Sequence, residues 1–360
     1  MIHIIIGTKA QLIKVAPLMK ELQDRGVDYN FIISGQHKET MDDLMENFGV
    51  KKPDIVLYSG PDIVKVSQMI AWGGKIIFKF LKNKKEIFKD DKNGIVINHG
   101  DTFTTLLGSI LAKLAGLKNS HLESGLRSFN FFHPFPEEIF RYLTFHLTDY
   151  YFCPGAWAMG NLEKYKGKKI DTIYNTLYDS VKLAIDSDTK QNLDIPQEKF
   201  AIVSLHRFEN VFKKNRFLSL IELIEDTADS IKLLFILHPP TKDKLRKFDF
   251  YNRLKNNKNI ELRPRYDYFD FIKLMDKAEF IITDGGSNQE ESFYLGKPCL
   301  ILRQKTERQE GLGQNAVLSG YNKKTVEDFV SNYYSYKLYP KDEAINPSRI
   351  VANFLIQNFL

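Results

Sequence analysis

Residues 94–123 read GIVINHGDTFTTLLGSILAKLAGLKNSHLE, and three segments follow one another in this stretch. A β-branched run at Gly94–Asn98 precedes a helical stretch at Phe103–Ala115, and a second short apolar run follows at Ser120–Glu123. This order is typical of two parallel strands joined by a crossover helix. It therefore predicts an α/β protein with a parallel sheet that is covered on both faces.

The same alternation extends in both directions along the chain. Helical stretches such as Gln11–Arg25 and Glu137–Leu147 separate the predicted strands. The further strands are predicted at Ile2–Ile6, Tyr29–Ser34, Asp54–Tyr58, Tyr150–Cys153, Asp171–Tyr174, Phe200–Leu205, Leu233–Leu237, Ile260–Leu262, Phe280–Thr283 and Pro298–Leu302. A chain of 360 residues suits two cores, so we predict two doubly wound domains, 1–174 and 175–342, with a joint near Asn175–Asp179.

The composition indicates which class of ligand the protein binds and in which compartment we expect it. The net charge of +6 suits a polyanion such as a nucleoside diphosphate and is too small to indicate nucleic acid. Cys153 and Cys299 are far apart, which predicts reduced structural thiols. Without a basic leader or a long apolar run, the expected location is cytoplasmic, with no stable membrane insertion. The lysine-rich run from Lys75 to Lys92 is interpreted as a solvated helix face, and contact with a membrane surface or an acidic partner is the alternative.

The tract TDGGSNQEE, Thr283–Glu291, is the clearest phosphate-binding candidate, because ligands bind at the carboxyl ends of parallel strands. Gly285 and Gly286 let a ligand approach the backbone, and a helix beginning near Ser287 would direct N–H groups at an anion. Glu290 and Glu291 could then accept hydrogen bonds from ribose hydroxyls. Arg308 in the following TER segment could pair with a phosphate. The alternative is a Gly-rich turn before a capped helix.

Three carboxylates and one histidine are candidates for proton transfer. Asp101 follows a strand in HGDT, and Glu137 opens a helical stretch, so helix capping is an alternative role for both. Glu123 ends an apolar strand, where a buried carboxylate is expected to bind a proton more readily. His206 also ends an apolar strand and is either structural or a proton carrier. These residues alone indicate a nucleotide-binding cleft with several candidate acids and bases.

Taken together, these motifs resemble the non-hydrolysing UDP-N-acetylglucosamine 2-epimerase family over nearly the whole chain. The matching motifs are GT at Gly7, GQH at Gly35, HGDT at His99, HLESGLRS at His121, PFPEE at Pro134, NT with an aspartate at Asn175–Asp179, HRFEN at His206, QEE with LGKP at Gln289–Pro298, and TER at Thr306.

The resemblance implies two Rossmann-like domains with an interdomain cleft, the GT-B-type fold. It implies inversion at C2 of a UDP-linked N-acetylhexosamine through a glycal, in a homodimer that needs no metal or nicotinamide and that supplies precursors for surface polysaccharide. A C-terminal helix within 343–360 would pack back on the first domain. The implied catalytic residues are Asp101, Glu123, Glu137 and His206. The implied ligand contacts are Lys9, Lys14, Arg141, His238, Gly285, Gly286, Ser287 and Arg308, with Phe271 at the uracil base and Glu291 at the ribose. Gln36 and His37 match part of a second, regulatory substrate site of some bacterial members, which is too little to predict that regulation here.

Departures from the family pattern concentrate on the phosphate side and at the joint. The usual GTRPE is GTKAQ here, with Lys9 and Gln11, and the usual SGG is Gly285, Gly286 and Ser287. Gln309 and Tyr174 also differ from the family. These changes suggest altered binding of the nucleotide, or of a modified sugar, with the proton chemistry retained. The alternatives are a hydrolysing 2-epimerase that releases UDP and a free ManNAc-type sugar, and a GT-B-type glycosyltransferase on the same scaffold.

Overall fold

The computed structural model describes residues 1–36, 41–60, 63, 66–131, 135–188, 193–339 and 344–360. These residues form two compact units. The first contains Met1–Leu183 and Glu343–Leu360, and the second contains Ala184–Asp342. Two residues of the family motifs, His37 and Pro134, lie outside the described residues.

The first unit is built on a parallel sheet in the order β3-β2-β1-β4-β5-β6-β7. Its strands are β1 Ile2–Ile6, β2 Tyr29–Ile33, β3 Ile55–Val56, β4 Ile95–His99, β5 Lys118–Leu122, β6 Tyr150–Cys153 and β7 Lys168–Asp171. Its helices are α1 Lys9–Asp24, α2 Asp42–Phe48, α3 Val66–Ile87, α4 Phe103–Ala115, α5 Glu137–Leu147, α6 Ala156–Gly160, α7 Leu177–Asp186, which continues into the second unit, and α15 Pro347–Phe359.

The second unit has a parallel sheet in the order β10-β9-β8-β11-β12-β13. Its strands are β8 Phe200–Ser204, β9 Lys232–Leu237, β10 Ile260–Pro264, β11 Ile281–Thr283, β12 Cys299–Ile301 and β13 Ala316–Leu318. Its helices are α8 Phe208–Val211, α9 Lys214–Ala228, α10 Pro239–Lys247, α11 Phe250–Lys255, α12 Tyr268–Lys277, α13 Gly286–Leu295, α14 Lys323–Asn332 and the 3-10 helix Tyr333–Tyr336.

Hydrophobic strands and capped helices explain this architecture. Every residue of β1, β4 and β8 is buried, as expected for parallel strands covered by helices on both faces. Thr102 caps α4 by accepting a hydrogen bond from the Thr105 amide at 3.2 Å, and Gly116 ends the same helix in the left-handed conformation that a side chain disfavours. The predicted α/β class with two parallel sheets is confirmed.

Most predicted segments agree with the structure, and the differences occur at sheet edges. Strands β1 and β6 and helices α4 and α5 have the predicted bounds. The strand predicted at Asp171–Tyr174 is wrong, because Lys168–Asp171 forms β7. The prediction followed the β-branched residues around Ile173. The observed edge strand is instead rich in lysine, which is common at exposed sheet edges. Strand β13 was not predicted, because a strand of three residues is too short to show a recognisable hydrophobic periodicity.

The boundary between the two units lies within helix α7, and the C-terminal helix belongs to the first unit. The units divide after Leu183, within α7, whereas the sequence suggested a joint near Asn175–Asp179. Helix α15 belongs to the first unit, where the Ser348 amide donates to Asp179 Oδ2 at 2.7 Å.

Both cysteines are buried and free, as predicted. Among the described helices, none is long and apolar enough to cross a bilayer.

Candidate active site

In both units, the strand order reverses at one point in the sheet. In the first unit this point lies between β1 and β4, and in the second it lies between β8 and β11. The loops that leave the carboxyl ends of such strands diverge and leave room for a ligand. Asp101 follows β4 in the first unit, and His206 and Asp284 follow β8 and β11 in the second. Asp101 and His206, which were predicted from the sequence, therefore lie beside the strand-order reversal of their sheets.

Glu123 is held in a strained and buried position one residue beyond β5. Its φ of 58° is in the left-handed region, which is costly for a residue with a side chain and is found most often at functional sites. Its side chain is 5% exposed, and its Oε2 accepts hydrogen bonds from Lys14 Nζ and Asn175 Nδ2. His99 Nε2 lies 3.9 Å from the same oxygen. The carboxylate is thus surrounded by donors that stabilise its charged form.

Asp101 pairs with an arginine that is itself held by other side chains. Its Oδ2 accepts a hydrogen bond from Arg141 NH2, and its side chain remains 27% exposed. Arg141 NH1 also donates to Glu138 Oε2 at 2.9 Å, while Arg127 contacts the other oxygen of Glu138. Glu138 is fully buried, and despite the opposing effect of burial its pKa is lowered by hydrogen bonds from Arg127, Ser128 and Arg141. Glu138 therefore fixes the guanidinium that faces Asp101.

Three other predicted residues of the first unit lie at helix starts or beside an acid. Glu137 is the first residue of α5 and is partly buried. Lys9 is the first residue of α1, directly after the capping residue Thr8, and is also partly buried. Lys14 lies one turn further along α1 and is buried against Glu123.

Gln11 connects the loop after β1 to the loop that carries Asp101. Its side-chain nitrogen lies 2.7 Å from the His99 carbonyl oxygen, 3.0 Å from Thr102 Oγ1 and 3.1 Å from Thr105 Oγ1. Its side-chain oxygen accepts from the Gly7 amide at 2.8 Å. This residue was noticed only as a departure from the family pattern. Its contacts show that an amide, which donates as well as accepts, serves this position well.

Two buried histidines border the acids of the first unit and are kept neutral. Burial lowers the pKa of His99 to about 3 and that of His121 to about 4. His121 Nε2 lies 2.7 Å from the Gly100 carbonyl oxygen, and its Nδ1 lies 2.9 Å from Ser124 Oγ. Neither ring nitrogen of His99 has a hydrogen-bond partner within the described part of the chain. Such an unsatisfied buried ring is costly and is a feature of functional sites.

In the second unit, His206 and His238 lie face to face. Their ring centroids are 4.6 Å apart at an interplanar angle of 33°, and His238 Nε2 lies 3.3 Å from Ser204 Oγ. Burial lowers the pKa of each to about 4, and Arg207 is the next largest cause for His206. The side chain of His206 is still 37% exposed. Both rings are therefore neutral near pH 7, and His206 is accessible to a ligand.

The glycine tract provides a tight turn into α13. The helix begins at Gly286, one residue before the predicted start, and its first N–H groups have no acceptor within the helix. A Cβ at Gly285 would lie 2.9 Å from His206 Cε1, and a Cβ at Gly286 would lie 3.2 Å from Glu307 Oε1. Ser287 is exposed at this helix end. The turn thus combines close packing with a partly positive helix terminus, as an anion site requires.

The remaining predicted ligand contacts lie on the helices and loops around this turn. Arg308 NH1 is 2.9 Å from Oε2 of Glu290, which is fully buried. Glu291 is also buried, and its Oε2 accepts from Asn288 Nδ2 at 2.9 Å. Phe271 is partly buried on α12. The structure thus assigns the two adjacent glutamates different partners, which the sequence did not distinguish.

Several residues that shape these clusters were not predicted as site residues. Asn175 and Glu138 lay inside motifs but were given no role, and Asp284 was noted only as a strand-end residue. Glu307 is a fourth case, because burial is outweighed by Arg207 and Arg303, which lower its pKa to about 2. Asn175 contacts Glu123 and Asp284 contacts the His206 segment, and both of these partners are distant in sequence, so pattern alone could not identify them.

Two doubly wound parallel sheets, each with ionisable groups at its strand-order reversal, define a nucleotide-binding α/β protein of the Rossmann-like class. Residues 20–347 match the family model described as UDP-N-acetylglucosamine 2-epimerase, and the chain belongs to this family. It is 32% identical over 354 residues to the UDP-N-acetylglucosamine 2-epimerase of Methanocaldococcus jannaschii, covering 93% of this chain and 94% of that protein. It is 33% identical to the enzyme of the same name from Bacillus subtilis, covering 86% of this chain and 80% of the relative.

Solved structures agree with this membership over both units. The UDP-GlcNAc 2-epimerase of Neisseria meningitidis bound to UDP-GlcNAc is similar with a TM-score of 0.82 and 29% identity, over 99% of this chain and 100% of that one. The Methanocaldococcus jannaschii enzyme in complex with UDP-GlcNAc and UDP gives 0.80 and 28%, over 99% of each chain. The predicted GT-B-type fold class and family are thereby confirmed.

Proposed function

We propose that this chain interconverts UDP-GlcNAc and UDP-ManNAc, or a modified UDP-HexNAc pair, by elimination and readdition of UDP. A base takes the C2 proton while the C1–O bond to UDP breaks, which leaves a 2-acetamidoglycal and free UDP. UDP then adds back at C1 as a proton returns to the opposite face of C2. The proposal rests on family membership and on the relatives of known structure that bind UDP-GlcNAc.

The observation that carries the proposal is that the acids Asp101 and Glu123 lie at strand ends and are each paired with a cation. A C2 proton is weakly acidic, so its removal requires an ionised carboxylate aimed at the sugar. Lys14 and Arg141 donate charge-assisted hydrogen bonds to these carboxylates and can also contact an anionic substrate. We assign proton transfer at C2 to Asp101, Glu123 and Glu137.

We assign the nucleotide half of the same substrate to the second unit. The N-terminus of α13, with Gly285, Gly286 and Ser287, suits the diphosphate, and Arg308 and His238 add donors. Glu291 is a buried acceptor suited to the ribose hydroxyls, and the partly buried Phe271 suits the uracil ring. His206, neutral and accessible, would act as the proton carrier of this unit.

A deuterium-exchange experiment tests the reaction. The full chain is incubated with UDP-GlcNAc in D2O and followed by proton NMR, with Asp101→Asn as the inactive control. Deuterium should enter C2 as UDP-ManNAc appears. The proposal fails if folded protein exchanges C2 in none of the UDP-HexNAc sugars tried. Accumulation of UDP with a free reducing sugar would instead identify a hydrolysing enzyme, and sugar transfer without exchange would identify a glycosyltransferase.

The proposal includes the oligomeric state, the location and the pathway. We propose that the chain forms a homodimer, that it lies in the cytoplasm, and that its product supplies precursors for surface polysaccharide. Sedimentation of the purified chain would test for the homodimer.

A further inference from the structure

Asp284 is a fully buried carboxylate that the proposed chemistry does not use. It follows β11 and accepts four hydrogen bonds from the segment that carries His206. The His206 amide lies 3.0 Å from Oδ1 and 3.3 Å from Oδ2, and the Arg207 amide lies 3.0 Å from Oδ2. Asn210 Nδ2 also donates to Oδ2, at 2.9 Å. Because all these partners are N–H donors, the site requires an ionised, acceptor-only carboxylate, although burial raises its pKa.

The imidazole of His206 has neighbours on three sides, which come from the loops after β9 and β11. Its Nδ1 lies 3.4 Å from Asp284 Oδ1, which is an ion-pair separation without hydrogen-bond geometry. Its face lies against His238, and its Cε1 edge lies where a Cβ on residue 285 would intrude at 2.9 Å. A glycine at 285, where the family pattern has serine, leaves the ring free to lie against the carboxylate.

We propose that Asp284 is a positioning residue that holds His206 in the tautomer with the proton on Nδ1, so that the lone pair of Nε2 faces away from Asp284. An acceptor-only oxygen favours the ring nitrogen that carries hydrogen, and it repels a lone pair. The opposite nitrogen is then able to accept a proton or a substrate hydrogen bond. The tautomer thus decides whether His206 acts as an acceptor or as a donor.

The surrounding charges are consistent with a neutral ring. The groups that face it besides Asp284 are one histidine, three arginines that disfavour a second proton, and one glutamate that favours it: His238, Arg207, Arg265, Arg303 and Glu209. The net effect, led by burial, keeps the imidazole neutral at pH 7. A neutral imidazole carries its proton on one of the two ring nitrogens, and the carboxylate of Asp284 lies beside Nδ1.

A hydrogen-bond chain behind Asp284 fixes the carboxylate itself. Asn210 Nδ2 also donates to the Leu302 carbonyl at 3.0 Å, and its side-chain oxygen accepts from Tyr321 OH at 2.8 Å. Arg216 lies over the Tyr321 ring at 3.9 Å. Asp284 therefore cannot turn toward solvent without breaking several buried contacts, so its geometry is imposed on His206.

The test is 15N NMR of the full chain with labelled histidine, at pH 7.5. The His206 signal among the eight histidines is assigned from its loss in His206→Gln. In the wild type, Nδ1 should be the protonated nitrogen. In Asp284→Asn the preference should be lost, and kcat should fall roughly ten- to hundredfold with KM for UDP-GlcNAc less affected. Asp226→Asn, an exposed carboxylate paired with Lys323, is the matched control and should change neither.

The outcomes separate this inference from the proposed function on which it rests. A protonated Nε2 in the wild type overturns the inference, and so does an unchanged His206 signal in folded Asp284→Asn. If that variant does not fold, the tautomer of the wild type still decides. If His206→Gln keeps full turnover while the tautomer is as expected, the catalytic role of His206 is wrong and the positioning by Asp284 stands.

Discussion

In the first unit, the strand-end carboxylates Asp101 and Glu123 each accept a hydrogen bond from a cationic side chain, whereas in the second unit the strand-end carboxylate Asp284 accepts from backbone amides and Asn210. A lysine or arginine can exchange one anion for another when a ligand arrives. A backbone amide cannot move away in this manner. The same position in two similar sheets thus supports exchangeable pairs in one unit and a fixed frame in the other.

This difference supports the proposal that the reactive acids belong to the first unit. There, Lys14 and Arg141 each contact one of the proposed catalytic carboxylates, and on that proposal they would also contact an anionic substrate. In the second unit, Asp284 is fully buried, whereas the side chain of His206 is 37% exposed.

The largest effect is expected for Asp101→Asn. The amide cannot take a proton, so kcat should fall at least about a thousandfold. Arg141 retains Glu138 as a partner, so UDP affinity by calorimetry should change less than about tenfold, or roughly 1.4 kcal/mol. His206→Ala in the second unit should give the same division. Equal losses of turnover and UDP binding would contradict the separation of roles.

The second prediction concerns acid and the neutral histidines of the first unit. The folded pKa values of His99 and His121, about 3 and 4, lie below the usual 6.5. Protons then bind preferentially to the unfolded chain, so stability is complete above pH 6.5 and is lost as pH falls toward 4. Asp179, with a pKa raised by burial to about 6, acts in the opposite direction. The free energy of unfolding should fall from pH 7.5 to 4.5, and His206 and His238, whose folded pKa values are also about 4, add to this fall.

Urea unfolding at several pH values measures this slope. In the neutral ring of His121, Nε2 donates to the Gly100 carbonyl and Nδ1 accepts from Ser124, so a second proton breaks the latter bond. His121→Gln should therefore flatten the dependence on pH. His146→Gln, which removes an exposed histidine, is the control and should leave the slope unchanged. A flat wild-type profile would contradict the lowered pKa values of these histidines in the folded chain.

Arg308→Ala should have a smaller effect, of a different kind. Removing this guanidinium is expected to weaken UDP binding about ten- to hundredfold, because a charge-assisted contact is lost. Turnover at saturating substrate should decrease less than it does in Asp101→Asn. Arg246→Ala, which removes an exposed positive charge, is the matched control. Unchanged UDP affinity would mean that Arg308 serves Glu290 alone.

The sequence predicted which residues lie at the ends of strands more reliably than it predicted which side chains those residues contact. Local sequence patterns located β1, β6, α4 and α5, because the two strands are almost wholly buried and each helix buries one face. It could not pair Lys14 with Glu123, since that contact depends on how β1 and β5 are arranged across the sheet. Asp284 and Gln11 were missed for the same reason, because their roles are defined by acceptors and donors that only the folded chain brings together.

The smallest effect is expected for Gln11→Glu, which restores the family residue. A carboxylate cannot donate to the His99 carbonyl, and its oxygen would lie near the present 2.7 Å from that carbonyl oxygen. The Thr102 hydroxyl and the Gly7 amide can still donate to it, whereas the Thr105 hydroxyl already donates to the His99 carbonyl at 2.6 Å, so the loss of stability should be about 1 kcal/mol. A protonated glutamate restores the missing donor, so the loss should shrink as pH falls from 8 to 5. That sign is opposite to the histidine effect, and comparing the variant with the wild type at each pH isolates it. Gln11→Met, which lacks both donor and acceptor, should lose more stability at every pH. If Gln11→Glu instead loses more at pH 5 than at pH 8, the amide is not the donor that holds the Asp101 loop.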